Sequence, residues 1–230
     1  LGLSALRSML SLLDSLVRPE PLSQQQVALN APQAQSDLID LAFQLTGVLQ
    51  LVAWAALAGY LLLRAGIGWR QIGLDRSQPG RDAAGAAGLA LLIGVPGIAL
   101  YLLSYAAGLS LAVLPSTLGE SWWRVPVLVL AAVGNAGAEE VIVVGYLLTR
   151  LGQLGWAPNR AVLVSALLRG VYHLYQGFGG FVGNVLLGLV FGRVWQRTGR
   201  LWMLVGAHAL LDVVAFVGYA LLRGRVGWLP

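Results

Sequence analysis

The sequence predicts an all-α polytopic membrane bundle of about six spanning helices, preceded by a helix lying in the membrane interface. Three observations predict it. The chain is 57% hydrophobic and only 11% charged, with a mean hydropathy of +0.74. A soluble domain carries about 25% charged residues, so this chain has too little polar surface to cover a water-facing globule. Uncharged runs long enough to cross about 30 Å of hydrocarbon recur along it. Its 15 basic residues are all arginine, and they cluster between those runs as in loops at a membrane face.

The elements follow in order. Leu3, Leu6, Leu10, Leu13 and Leu16 recur at helical spacing, which predicts an amphipathic helix in the interface. A signal peptide is not expected, because Arg7, Asp14 and Arg18 interrupt the apolar part and no small-residue cleavage site follows. Residues 19–36 are polar and hold three prolines, a linker that divides an N-terminal segment 1–36 from a membrane domain 37–230. Leu41 to Leu63 is the first span. Ala83 to Gly119 is uncharged and too long for one helix, so Pro96 is expected to kink it and Pro115 to end it, with a re-entrant piece near 108–119 as a variant. Pro126 is expected to open a helix that Arg150 closes. The next spans are Ala161 to about Gly177, then from a tight turn at 177–180 to about Trp195, and finally Leu201 to Leu222. Loops 64–82, 150–160 and 193–200 carry nine arginines against five on the opposite side, which puts the first set in the cytoplasm.

Several function classes fall away. The net charge of +5 comes from loop arginines without a basic aromatic stripe, so no nucleic-acid partner is expected. Cysteine is absent, which excludes disulfides and thiolate metal sites.

The informative residues are ionisable groups inside spans, which are costly in hydrocarbon and mark function. They are Glu139, Glu140, Arg169, His173, His208 and Asp212, and they include both histidines of the chain. Glu139 lies 11 residues before Arg150, His173 lies 13 after Arg160, and His208 and Asp212 lie 8 and 12 after Arg200. At about 1.5 Å per residue, three helices carry these groups at roughly 12–20 Å from one membrane face. Arg169, His173 and Gln176 share a helix face by spacing, as do His208 and Asp212. Adjacent Glu139 and Glu140 point about 100° apart, which predicts different jobs. Asn135, one turn before Glu139, is expected to hydrogen-bond its carboxylate. Gln176 and Asn184 are read as interhelical hydrogen bonds, and Gly180, Gly188 and Gly192 with Asn184 as a close packing face.

At these residues the sequence resembles the CPBP family of intramembrane endopeptidases (CAAX prenyl proteases and bacteriocin-processing proteins, also called Abi). The family's EExxxR-plus-glycine motif reads EEVIVVG over Glu139–Gly145, its FxxxH motif reads RGVYH over Arg169–His173, and its HxxxN/D motif reads HALLD over His208–Asp212. The motif core spans about 125–220. Two positions depart from the pattern. Val144 stands where the family has arginine, and Arg169 where it has phenylalanine. Arg169 is expected to supply from the next helix the charge that Val144 removes.

The resemblance implies hydrolysis of a peptide bond by a water that glutamate and histidine activate. It assigns Glu139 and His173 to water activation and Glu140 to orientation, with Arg169 as its counter-charge. His208 and Asp212 are assigned to the substrate carbonyl or oxyanion, or Asp212 to fixing the His208 ring. No cofactor is expected; zinc on Glu139, His173 and His208 is the alternative. The expected partners are membrane lipid and a peptide or protein substrate, including membrane-anchored ones, and the expected location is a bacterial cell membrane. A non-catalytic family member and a proton-coupled transporter are the rival classes.

Overall fold

The computed structural model describes residues 1–223. Its regular structure is almost wholly helical. The helices are α1 (Gly2–Val17), α2 (Asp37–Arg64), α3 (Pro79–Ala106), α4 (Arg124–Glu139), α5 (Leu147–Gln153), α6 (Pro158–Val171), α7 (Phe178–Thr198) and α8 (Leu201–Leu222). A π-helical segment, Glu140–Tyr146, runs from α4 into α5. Two three-residue strands, β1 (Gln26–Ala28) and β2 (Ala112–Leu114), pair with each other.

Among the described residues five helices are long and apolar enough to cross a membrane: α2, α3, the continuous run Arg124–Gln153, α7 and α8. The all-α polytopic expectation therefore holds. The sixth expected span, α6, has 14 residues, about 21 Å at 1.5 Å per residue.

The ends differ from expectation where tertiary pairing intervenes. α3 contains Pro96 but stops at Ala106, well before Pro115, and Gly108 turns the chain with φ +73°. The residues beyond it are extended and include β2 rather than a re-entrant helix. α6 stops at Val171 instead of near Gly177, and Leu174–Gln176 forms a single 3-10 turn. Ser110 bridges Gly177, whose φ of +95° admits glycine most readily. Gln176 is thus displaced from the helical face that spacing assigned to it. Residues 178–180 already belong to α7, so the expected turn shortens to Gly177. Residues 19–36 hold more order than a linker needs: Gln25 is buried and donates its amide to the carbonyls of Ser15 (2.8 Å) and Glu20 (2.9 Å).

The chain forms two compact units. The first comprises residues 1–27, 91–113 and 147–198. Here α6 and α7 pack closely because glycines let the backbones approach. A Cβ at Gly188 would sit 2.9 Å from the Ala166 Cα, and one at Gly192 2.9 Å from a Val162 methyl. α1 presents Ala5, Ser8, Leu12 and Ser15 to this unit and leaves the five leucines of its stripe exposed. That orientation suits a helix whose leucines meet acyl chains.

The second unit comprises residues 28–90, 114–146 and the described residues from 199 onward. α2 and α8 both pack against α4. Leu128 and Ala132 are fully buried in its core, with Trp123, Val127 and Phe216 nearby. The Trp123 indole N–H donates to the Asp37 carboxylate at 3.0 Å, tying the start of α4 to the start of α2.

Candidate active site

In the second unit, Asn135 and Glu139 lie on the last turns of α4, Glu140 opens the π segment, and His208 and Asp212 lie one turn apart on α8. The packing of α4 against α8 brings them together. His208 Nδ1 stands 2.8 Å from Glu140 Oε1, and both side chains are buried, Glu140 completely. His208 Nε2 stands 3.5 Å from Asp212 Oδ2. Asn135 donates its amide to that same Asp212 oxygen at 2.9 Å. One imidazole is thus bracketed by two carboxylates, and the second carboxylate is fixed by an amide from the facing helix.

Glu139 joins the cluster from a more open position. One ligand atom from each of Glu139, Glu140 and His208 lies within 4.8 Å of the others, close enough to hold a single cation. This trio differs from the expected zinc set by containing Glu140 in place of His173. The two adjacent glutamates do occupy different environments, Glu140 sealed and Glu139 partly open.

The π segment sets this geometry. Single π turns inside α-helices carry one extra residue per turn and recur at functional sites. Five residues after Glu140, a Cβ at Gly145 would sit 3.7 Å from the Glu140 carbonyl oxygen and 3.0 Å from a Leu201 methyl. Glycine here admits the close approach of α8. Val144, which departs from the motif the sequence resembles, is buried.

α8 is anchored just before its first turn. The Arg200 guanidinium is buried and donates through Nε to Asp82 (2.9 Å) and through one terminal nitrogen to Asp75 (3.0 Å) and Ser77 (3.2 Å). Hydrogen bonds from the Ser77 side chain and backbone, then from Arg200, lower the Asp75 pKa to about 2. The clasp ties the loop before α3 to the helix that carries His208.

In the first unit, Arg169 is completely buried, its guanidinium 5.6 Å from the centre of the Phe191 ring. His173 Nδ1 lies 3.0 Å from the Arg169 carbonyl oxygen. A carbonyl only accepts, so Nδ1 carries the hydrogen and a neutral ring holds its lone pair on Nε2. The Tyr172 and Tyr175 rings flank the imidazole with centroids 4.7 and 6.1 Å away.

Three pairings read from sequence are corrected. Asn135 bonds Asp212 on α8 instead of Glu139, because α8 lies against that face of α4. Gln176 donates to the Tyr175 hydroxyl within its own turn (2.9 Å), and Asn184 to the Gly180 carbonyl within α7 (3.0 Å). Neither makes the interhelical bond expected of it. The glycine stripe does pack at Gly188 and Gly192, but Gly180 faces the Gln176 side chain. The pairing that sequence reasoning missed is Glu140 with His208. Spacing reports which residues of one helix share a face, not which helix that face meets.

Residues 121–214 match the family model described as type II CAAX prenyl endopeptidase Rce1-like. The matched segment contains Asn135, Glu139, Glu140, Arg169, His173, His208 and Asp212, and over it the family likeness read from the three motifs is borne out. No curated protein and no solved structure matches the chain.

Proposed function

We propose that this protein is an intramembrane endopeptidase of the CAAX type, in which carboxylates and imidazoles activate a water against a peptide carbonyl. The observation that carries the reading is the convergence of Glu139, Glu140 and His208 within 4.8 Å, on apolar helices and inside the segment that matches the endopeptidase family. Two carboxylates and an imidazole gathered between helices do little for stability that apolar packing would not do as well. They are the equipment of proton transfer.

In the proposed reaction Glu139, the more open carboxylate, takes a proton as the water oxygen attacks the carbonyl carbon. The carbonyl π electrons move onto oxygen, and donors at the site hold the negative charge. The proton passes to the leaving nitrogen as the C–N bond breaks. Glu140 fixes the His208 ring through Nδ1, and the ring, acting as an imidazolium between the two carboxylates, offers its Nε2–H to the developing oxyanion. Asn135 holds Asp212 in register. His173 and Arg169 are assigned to the same reaction by their motif positions alone, His173 as a proton-exchanging group. The substrate is a peptide or protein presented from the membrane, and the setting is a bacterial cell membrane.

A second reading, favoured by the spacing of Glu139, Glu140 and His208, is the same hydrolysis on a zinc ion that these ligands hold. In the metal-free version Glu140 and His208 hold each other directly, at 2.8 Å.

The test is cleavage by the purified chain in liposomes of two quenched fluorescent peptides, one with a prenylated C-terminal tetrapeptide and one without the lipid. Release of the C-terminal fragment supports the reading, and its absence from both peptides contradicts it. Turnover that survives strong chelator, with no zinc by elemental analysis, selects the metal-free version.

A further inference from the structure

The residues just after His173 are held by parts of the chain that lie outside the family-matched segment. The backbone N–H of Tyr175 donates to the Ser8 hydroxyl oxygen on α1 at 2.8 Å. Ser8 is buried, and it belongs to the small-residue strip Ala5, Ser8, Leu12 and Ser15 that α1 turns toward this unit. On its other side the same turn is pinned to an extended segment. Leu111 donates to the Gln176 carbonyl (3.2 Å), and Phe178 donates to the Leu109 carbonyl (2.8 Å). Ser8 and residues 109–111 all precede residue 121, where the family match begins.

A 3-10 turn leaves its first N–H groups without partners inside the turn. Tyr175 is the second residue of this one. Its donor is satisfied by a helix hydroxyl 167 residues earlier in the sequence. That bond fixes the peptide two residues after His173, beside a ring that Tyr172 and Tyr175 flank. The imidazole meets the Arg169 carbonyl through Nδ1, and the His173 carbonyl accepts from the Gln176 N–H of the clamped turn at 3.0 Å.

We infer that Ser8 is a positioning residue for His173, and that α1 acts as a clamp on the turn that aims the imidazole. The mechanistic part rests on the proposed role of His173, whereas the geometric part does not. An aimed general base loses rate when its orientation loosens, with little change in substrate binding.

The chain contains only two histidines, so protein carrying 13C,15N-labelled histidine gives two imidazole signals, and His173→Gln assigns them. In Ser8→Ala the His173 signal is expected to shift or broaden while that of His208 stays put, and Ser8→Thr is expected to restore it. In the cleavage assay kcat is expected to fall about tenfold for Ser8→Ala at unchanged KM, and to recover in Ser8→Thr. A His173 signal unmoved in Ser8→Ala overturns the clamp, whatever the assay gives. A moved signal with unchanged kcat per folded molecule overturns the positioning role and leaves Ser8 structural. Full activity in His173→Gln counts against the catalytic reading of His173 alone, since the spectra still judge the clamp.

Discussion

The imidazole Nδ1 of His208 lies 2.8 Å from a carboxylate oxygen of Glu140 that solvent does not reach. A hydrogen bond to a charged group is worth about 1.5–3 kcal/mol, and burial makes its loss harder to compensate. His208→Ala is expected to lower unfolding stability by about that amount. His208→Gln, which keeps a donor of similar reach, should recover part of it. Denaturant unfolding in detergent measures both; equal stability of all three proteins would mean that the pair contributes nothing.

Asn135 and Asp212 join α4 to α8 through one amide–carboxylate bond of 2.9 Å. Polar pairs between membrane helices couple by about 0.6 kcal/mol on average and up to about 1.7 kcal/mol. A double-mutant cycle with Asn135→Ala and Asp212→Ala is expected to give a coupling in that range. Strict additivity would remove the bond from the account.

The hydrogen bonds that Asp75 accepts from Ser77, and then from Arg200, predict a pH signature outside the membrane spans. The Asp75 pKa is lowered from 3.8 to about 2 in the folded protein. A depressed carboxylate contributes stability that is fully present above its unfolded pKa and is lost as pH falls through the folded one. The stability difference between wild type and Asp75→Asn should therefore hold constant above about pH 4 and shrink between about pH 4 and 2. Paired unfolding curves across that range cancel the other acids. A difference that stays flat down to about pH 2 would contradict this set of Asp75 hydrogen bonds.

Two glycines of α7 separate packing from space. A Cβ at Gly188 would lie 2.9 Å from the Ala166 Cα, whereas one at Gly183 meets nothing nearer than a Leu100 methyl at 3.7 Å. Gly188→Ala is expected to destabilise by about 1–3 kcal/mol through overpacking. Gly183→Ala should stabilise by about 0.4–1 kcal/mol, since the helix loses a flexible residue. Thermal unfolding of the two variants checks the opposite signs.

The spans with clean ends were legible because hydropathy and bounding charges encode them. α8 begins and ends at Leu201 and Leu222, as the sequence predicts. The end of α6 was not legible. The run from Tyr172 to Gln176 does not break the pattern, and the stop accompanies pairing of Gly177 with Ser110, far away in sequence. The π segment was equally silent, since hydropathy carries no record of a hydrogen-bond register. Glu139, Glu140, His208 and Asp212 stood out as candidates because ionisable groups are scarce in apolar runs. Their partners did not, because the choice of Asp212 for Asn135 and of Glu140 for His208 depends on which helices pack together.

The central claim is that a carboxylate of the Glu139–Glu140–His208 cluster activates the hydrolytic water. The most direct measurement is kcat/KM for the liposome-reconstituted Glu139→Gln variant, with folding verified by the same unfolding transition as wild type. Removing a positioned general base costs about 10²–10⁴-fold, and a loss of that size is the predicted result. A folded Glu139→Gln protein that cleaves within a few-fold of wild type would contradict the account.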